Sequence, residues 1–278
     1  MRKVPAAAAL AWLHFGLDML RRYPGAFLGM GVVVVILGQI PLAGTLIALL
    51  LGPALTAGVA HAAREADAGR TPRLGQLFEA FTGDKPLGSL VALCLPTVGL
   101  IVALILLLLF VLLGATGGDP QRLQAMTANP QALLIVLRGH LGMLMLVMLV
   151  VLIAAVLQTM LVFFAVPRVM FDRRDAFAAM ADSVRASVRS AGALVSLMLV
   201  LFAIGIVAAA AIAVLVYLPL ARLHVAGTWG QTILVMVLGT LANAFGGLVT
   251  YAAWRDVFGE TPSNPVATEA AGTTVVTM

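Results

Sequence analysis

Residues 139–166 read GHLGMLMLVMLVVLIAAVLQTMLVFFAV, and residues 167–189 continue PRVMFDRRDAFAAMADSVRASVR. The first stretch contains no Asp, Glu, Lys or Arg. About 20 apolar residues in helical form cross a bilayer core of ~30 Å, so this run is long enough to span one. The second stretch follows it with five arginines and three aspartates. A long charge-free run closed by a cationic cluster marks a transmembrane helix emerging on the cytoplasmic side.

Outward from that stretch, the same pattern recurs. Charge-free runs occupy 24–40, 42–62, 87–114, 191–218 and 230–254. Mean hydropathy is +1.08 and only 10% of residues are charged, which excludes an ordinary soluble domain. The segments between runs are too short to fold as soluble domains of their own. The runs at 24–40 and 42–62 meet at Gln39-Ile40-Pro41, where proline interrupts the helix and a tight hairpin is expected. Its first arm is short, so the hairpin either crosses fully or is re-entrant.

The basic residues sort by side. With six crossings, fourteen of the seventeen Lys and Arg fall on one side, leaving Arg122, Arg138 and Arg222 on the other. The positive-inside rule assigns the first side, with both termini, to the cytoplasm. The net charge of +5 thus follows topology and does not indicate a nucleic-acid partner. The first residues carry Arg2 and Lys3, but His14, Asp18, Arg21 and Arg22 interrupt any signal-peptide core, so an uncleaved N-terminus is expected. Tyr23, Tyr217, Trp229, Tyr251 and Trp254 fall at span ends, as expected of an aromatic belt. Trp12 falls on a surface helix, and the lone Cys94 falls within the third span as a buried thiol.

Three cytoplasmic segments read as amphipathic helices, each just before a pair of spans. The first covers residues 5–22 and exposes His14, Asp18 and Arg21 beside Trp12, Leu13, Leu17, Met19 and Leu20. In the second, Thr71 caps, Pro72 takes the first helical position, Leu74, Leu77, Phe78 and Phe81 make the stripe, and Gly83 ends it. The third has Asp172 as N-cap and a stripe of Phe177, Met180, Val184 and Val188. The expected fold is therefore an all-α polytopic membrane protein. It has six transmembrane helices as three hairpins, each preceded by a cytoplasmic interfacial helix. The units run roughly 5–63, 71–166 and 172–254 within one membrane domain at 1–258. A disordered cytoplasmic tail, 259–278, follows.

Chemistry is sparse. There is no HExxH, no Cys-x-x-Cys, no P-loop and no dinucleotide fingerprint. No carboxylate or lysine lies within a run, as an intramembrane protease or a proton-coupled carrier would need. No cofactor, metal or catalytic residue is expected. Gln158, Asn243, Thr97 and Thr240 are candidate intramembrane polar contacts, whether as interhelical hydrogen bonds or as the lining of a solute path. His61 and His140 read as interfacial. Gly25-x-x-x-Gly29 and Ala242-x-x-x-Gly246 are candidate close-packing motifs. Arg168, Arg173, Arg174, Arg185 and Arg189 are candidate contacts for anionic headgroups or a partner.

The segment Val-Pro-x-x-Met-Phe-Asp followed by Ala-Phe-x-Ala-Met-x-x-Ser, at 166–183, resembles a family of uncharacterised bacterial multi-pass inner-membrane proteins. Ile40-Pro41-Leu42-Ala43-Gly44 and the stretch 50–58 are similar too. The layout also resembles the membrane domain fused to some glycerophosphodiester phosphodiesterases, whose catalytic domain has no counterpart in this sequence. The resemblance implies a bacterial inner-membrane location and attaches to no known activity. The excess of arginine over lysine fits a GC-rich genome. The expected function is non-enzymatic, organising lipid or partner proteins at the cytoplasmic face. The alternative is a permease or channel for a small neutral or amphipathic solute. Homo-oligomerisation stays open.

Overall fold

The computed structural model describes residues 2–41, 43–82, 86–119, 121, 141–212, 214–215 and 226–259. Among these the chain is all helical, with no strand. Proline sets many of the boundaries. Helix α1 (Ala8–Arg22) stops at Tyr23 because the next residue is Pro24, which disfavours helical backbone at the residue before it. Pro24 then opens α2 (Pro24–Gly38), where its missing N–H costs nothing. The two helices meet at 102°. Helix α3 (Ala43–Asp67) follows the Gln39-Ile40-Pro41 turn and carries Pro53 inside it.

The third run is broken into α4 (Leu87–Ala92) and α5 (Leu95–Thr116), with Pro96 at the start of α5 and the buried Cys94 at the junction. Helix α5 ends on Gly117, whose φ of 65° is the left-handed cap glycine supplies. Next come α6 (Leu141–Val162), α7 (Ala165–Asp172), α8 (Ala176–Arg189), α9 (Ala191–Ile212) and α10 (Ala226–Phe258).

Five of these helical stretches are long and apolar enough to cross a membrane, or six if α1 and α2 are taken as one bent span. At 15 residues, α2 rises only about 22 Å and falls short of a bilayer core unaided.

Two of the expected amphipathic helices differ in detail. Where the second was expected, Leu74–Phe81 forms a 3-10 helix and not an α-helix. Its N-cap is Arg73, whose N–H donates to Gln76 Oε1 at 3.0 Å, so Thr71 and Pro72 lie before it. The Arg-rich helix starts three residues later than expected. Asp172 ends α7, Arg173 turns the chain with a φ of 52°, and Asp175 caps α8 by accepting the Phe177 N–H at 3.0 Å.

Packing is concentrated where α1, α3, α7, α8 and α10 meet. One core joins α1, α2, α3, the 3-10 helix and α10 through Met19, Phe27, Met30, Val59, Leu77 and Leu248. A second joins α1, α9 and α10 through Trp12, Leu13, Leu197, Val249 and Val257. A third joins α3, α4, α7 and α8 through Ala57, Leu90, Leu93, Val169 and Met180. By contrast, α5 and α6 bury nothing across their most apolar 18 residues. Side chains such as Phe110, Met145 and Leu152 stand open all along them, as expected of helices that face lipid.

Close approach of α10 to α2 and α3 depends on glycines other than those the sequence motifs suggested. A Cβ on Gly31 would overlap the Thr240 carbonyl, one on Gly247 would overlap Val59, and one on Gly239 would come within 2.9 Å of Val35. Gly25 and Gly246 have open space there, and Gly29 meets only the tip of Leu74.

Candidate functional site

The five candidate arginines separate into two classes. Arg168, on α7, is turned inward with its side chain 15% exposed. It donates to Asp172 Oδ2 at 2.7 Å and Asp182 Oδ2 at 2.8 Å, and its guanidinium lies 4.6 Å from the Phe258 ring centre. Both ends of its fork are taken, so Arg168 is removed from the headgroup-contact set and assigned to structure. Arg173, Arg174, Arg185 and Arg189 are exposed. Arg174 and Arg185 reach Asp182 only at 3.6 and 3.4 Å.

Helix α8 explains this division. Its inner face carries Ala176, Ala179, Met180, Asp182, Ser183, Ala186 and Ser187. These small residues bring α8 close to the broken junction of α6 and α7. There Ser183 donates to the Met160 carbonyl at 2.7 Å and accepts the Phe164 N–H at 3.1 Å. Ser187 adds a longer bond of 3.4 Å to Met160 O. Both groups lost their helical partners at the break, and α8 supplies substitutes.

The outer face keeps Phe177 and Val188, 67% and 61% exposed, with Ala181 between them. Arg185 and Arg189 follow on the next strip round the helix. Only Met180 of the four-residue stripe is buried, and Val184 is intermediate.

The intramembrane polar residues form two separate arrangements. Gln158 Nε2 donates to Thr97 Oγ1, tying α6 to α5. Asn243 donates to the Gly239 carbonyl of its own helix at 2.8 Å, and Thr240 lies against Gly31. A cavity of about 290 Å³ between α2, α3 and α10 takes in Asn243, together with Gln39 and Thr56, but not Thr97, Gln158 or Thr240. His61 lies half-buried on α3. His140, Arg122, Arg138, Arg222, Tyr217, Gly83 and the tail from 260 lie outside the described residues, and the side chain of Trp229 is likewise not described.

Sequence reading did not single out a second polar cluster, at the end of α10. Tyr251 and Arg255, one turn apart on α10, both donate to Asp67 Oδ2 at 2.8 Å. Trp254 donates to Asp172 Oδ2 at 3.2 Å, and its ring lies 4.7 Å from that of Phe171. Trp12 Nε1 donates to Asp256 Oδ2 at 2.7 Å, and Arg255 lies over the Phe15 ring at 4.8 Å. The end of α10 thus binds α1, α3 and α7 together. Trp12 and Tyr251, 1% and 4% exposed, are internal and not part of an interfacial belt. The spacing Tyr251, Arg255, Phe258 puts all three on one helix face and was the available signal. Among the described residues no group of His, Cys, Asp and Glu could hold a metal ion.

Compared with protein-family models, with curated proteins and with solved structures, the chain matches none.

Proposed function

We propose that this is a non-enzymatic integral membrane protein that gathers anionic lipid headgroups at its cytoplasmic face, with α8 as the contact element. In this reading α2 with α3, α4–α5 with α6, and α9 with α10 form three hairpins, and both termini are cytoplasmic in a bacterial inner membrane. The distribution of Lys and Arg supports that orientation. The observation that carries the function is the outer face of α8. An apolar strip of Phe177, Ala181 and Val188 lies beside Arg185 and Arg189, and the exposed Arg173 and Arg174 stand at the helix start. A helix lying at the headgroup level buries such a strip among acyl chains while its cations meet lipid phosphates.

The test is lipid retention. Protein reconstituted in equal phosphatidylglycerol and phosphatidylcholine is extracted in mild detergent and its bound lipid quantified. Enrichment of phosphatidylglycerol is expected in the wild type. In the triple variant Arg174→Glu, Arg185→Glu, Arg189→Glu the ratio should fall to that of the bulk. Equal enrichment in a folded triple variant would remove α8 as the contact element.

A further inference from the structure

The cavity between α2, α3 and α10 points to a second ligand. Its walls are Val34, Val35, Leu37, Ile47, Leu55 and Val235, and its polar groups are Gln39, Thr56 and Asn243. No ionisable side chain among the described residues lines it. The Thr56 hydroxyl is taken by the Gly52 carbonyl of its own helix at 2.9 Å. The Gln39 carboxamide makes no hydrogen bond among the described residues, and Asn243 uses only an N–H, leaving Oδ1 open. Asn243 lies within a span, where an open carboxamide oxygen is costly, and Gln39 stands exposed at the cap of α2, so both groups are available to a ligand.

Gly239 of α10 lies at the level of Val35 on α2. Gln39 is one turn past Val35, at the C-cap of α2, and Asn243 is one turn along α10 in the opposite direction. Their polar groups are therefore roughly 12 Å apart along the helices. Val235, Gln39 and Ala48 are exposed, so the cavity is open at the apolar flank of the bundle. Ile36, Leu46 and Leu50, all exposed on α2 and α3, surround that flank with hydrocarbon-compatible surface.

We propose that this cavity binds an uncharged, hydrogen-bonding glycerolipid that enters sideways from the bilayer. A lining that carries no charge among the described residues does not fit a phosphate or carboxylate head, whose burial without a counter-charge is costly. A volume of about 290 Å³ holds a glycerol ester and the first part of one chain. The glycerol hydroxyls and ester carbonyl satisfy Gln39 and Asn243 Oδ1, and the chain runs along Val34, Ile47, Leu55 and Val235.

A monoacylglycerol with a diazirine in its chain, in phosphatidylcholine vesicles, tests this on the full chain. Illumination should place label on peptides covering 34–56 and 235–243. Gly52 lines the cavity and a Cβ there meets nothing within 4 Å, so the side chain of Gly52→Leu starts into open space and occupies part of it. Labelling in that variant should fall about tenfold, and in Asn243→Leu by roughly threefold to tenfold. Labelling spread over α5, α6 and α9 in the wild type would overturn the proposal. So would undiminished labelling in either variant that retains its melting transition. Suppression of labelling by excess free glycerol would show a water-borne solute and overturn the lipid source.

Discussion

The Arg168 guanidinium on α7 meets the Asp182 carboxylate on α8 at 2.8 Å, with the two side chains only 15% and 8% exposed. The pair closes the Arg173 turn and orients α8 so that its serines reach Met160 and Phe164. Removing Asp182 leaves Arg168 sharing only Asp172 in a site poor in water. Asp182→Ala should cost about 1.5–3 kcal/mol, the worth of a charged hydrogen bond, because Arg168 keeps Asp172 as a counter-charge. Arg168→Met with Asp182→Leu should recover most of the loss. Thermal melting of the detergent-solubilised variants reads both, and a destabilisation under about 1 kcal/mol for Asp182→Ala would assign the pair no structural weight.

Ser183 is the second element of that junction. Its hydroxyl serves a carbonyl and an N–H that the break at Phe163 and Phe164 leaves without helical partners. Ser183→Ala should destabilise by about 1–3 kcal/mol, the penalty of buried unsatisfied backbone groups. Ser183→Thr retains the hydroxyl but adds a methyl where the residue is fully buried. It should fall between the two in melting temperature, and a neutral Ser183→Ala would show that the junction finds other partners.

Glycine positions give a contrast that the sequence motifs reversed. A Cβ at Gly31 collides with the Thr240 backbone, whereas one at Gly25 meets open space. Gly31→Ala should therefore lower stability by about 1–3 kcal/mol through forced separation of α2 and α10. Gly25→Ala should leave it unchanged or slightly raised, since alanine favours helix. The ordering of the two melting temperatures is the readout, and equal values would mean α10 does not seat against α2 as described.

These cases show which level of structure sequence reading reaches. Long apolar helices were legible because a bilayer imposes a one-dimensional rule. A charge-free run such as 139–166 declares itself without knowledge of its neighbours. Helix boundaries at Tyr23-Pro24 were legible for the same local reason. Partnerships were not. The hydrogen bond from Trp12 to Asp256 joins residues 244 positions apart, and nothing near either residue names the other. Trp12 and Tyr251 have the composition of an interfacial belt, but their polar atoms are satisfied by Asp256 and Asp67 inside the protein. Asp172 and Asp175 are both plausible caps by residue type. Arg173 in the left-handed region ends one helix before the next begins, and that choice is tertiary. The α8 stripe misled because small residues, Ala179, Ser183 and Ala186, allow closer approach than Phe177 or Val188 do.

The outward strip of α8 yields a depth measurement that decides what covers it. Phe177 is 67% exposed and sits one turn from Ala181 and two or three from Val184 and Val188. Trp at this position keeps the aromatic character and touches little of the protein, so Phe177→Trp should fold as the parent does. Trp12 and Trp254 stay in place, because both donate to carboxylates inside the protein, so the signal of residue 177 is the variant's quenching less that of the parent. In vesicles of phosphatidylglycerol and phosphatidylcholine, a headgroup-level helix places this ring just below the phosphates. Nitroxide near the carbonyl end of the acyl chain should then quench it more strongly than nitroxide near the methyl end. Arg185→Glu with Arg189→Glu should weaken that quenching, since the strip loses the cations that hold it to the anionic surface. Strong quenching by aqueous iodide with none from either lipid probe would place the strip in water. The apolar face would then have to be a protein contact, and the lipid role proposed for α8 would be lost.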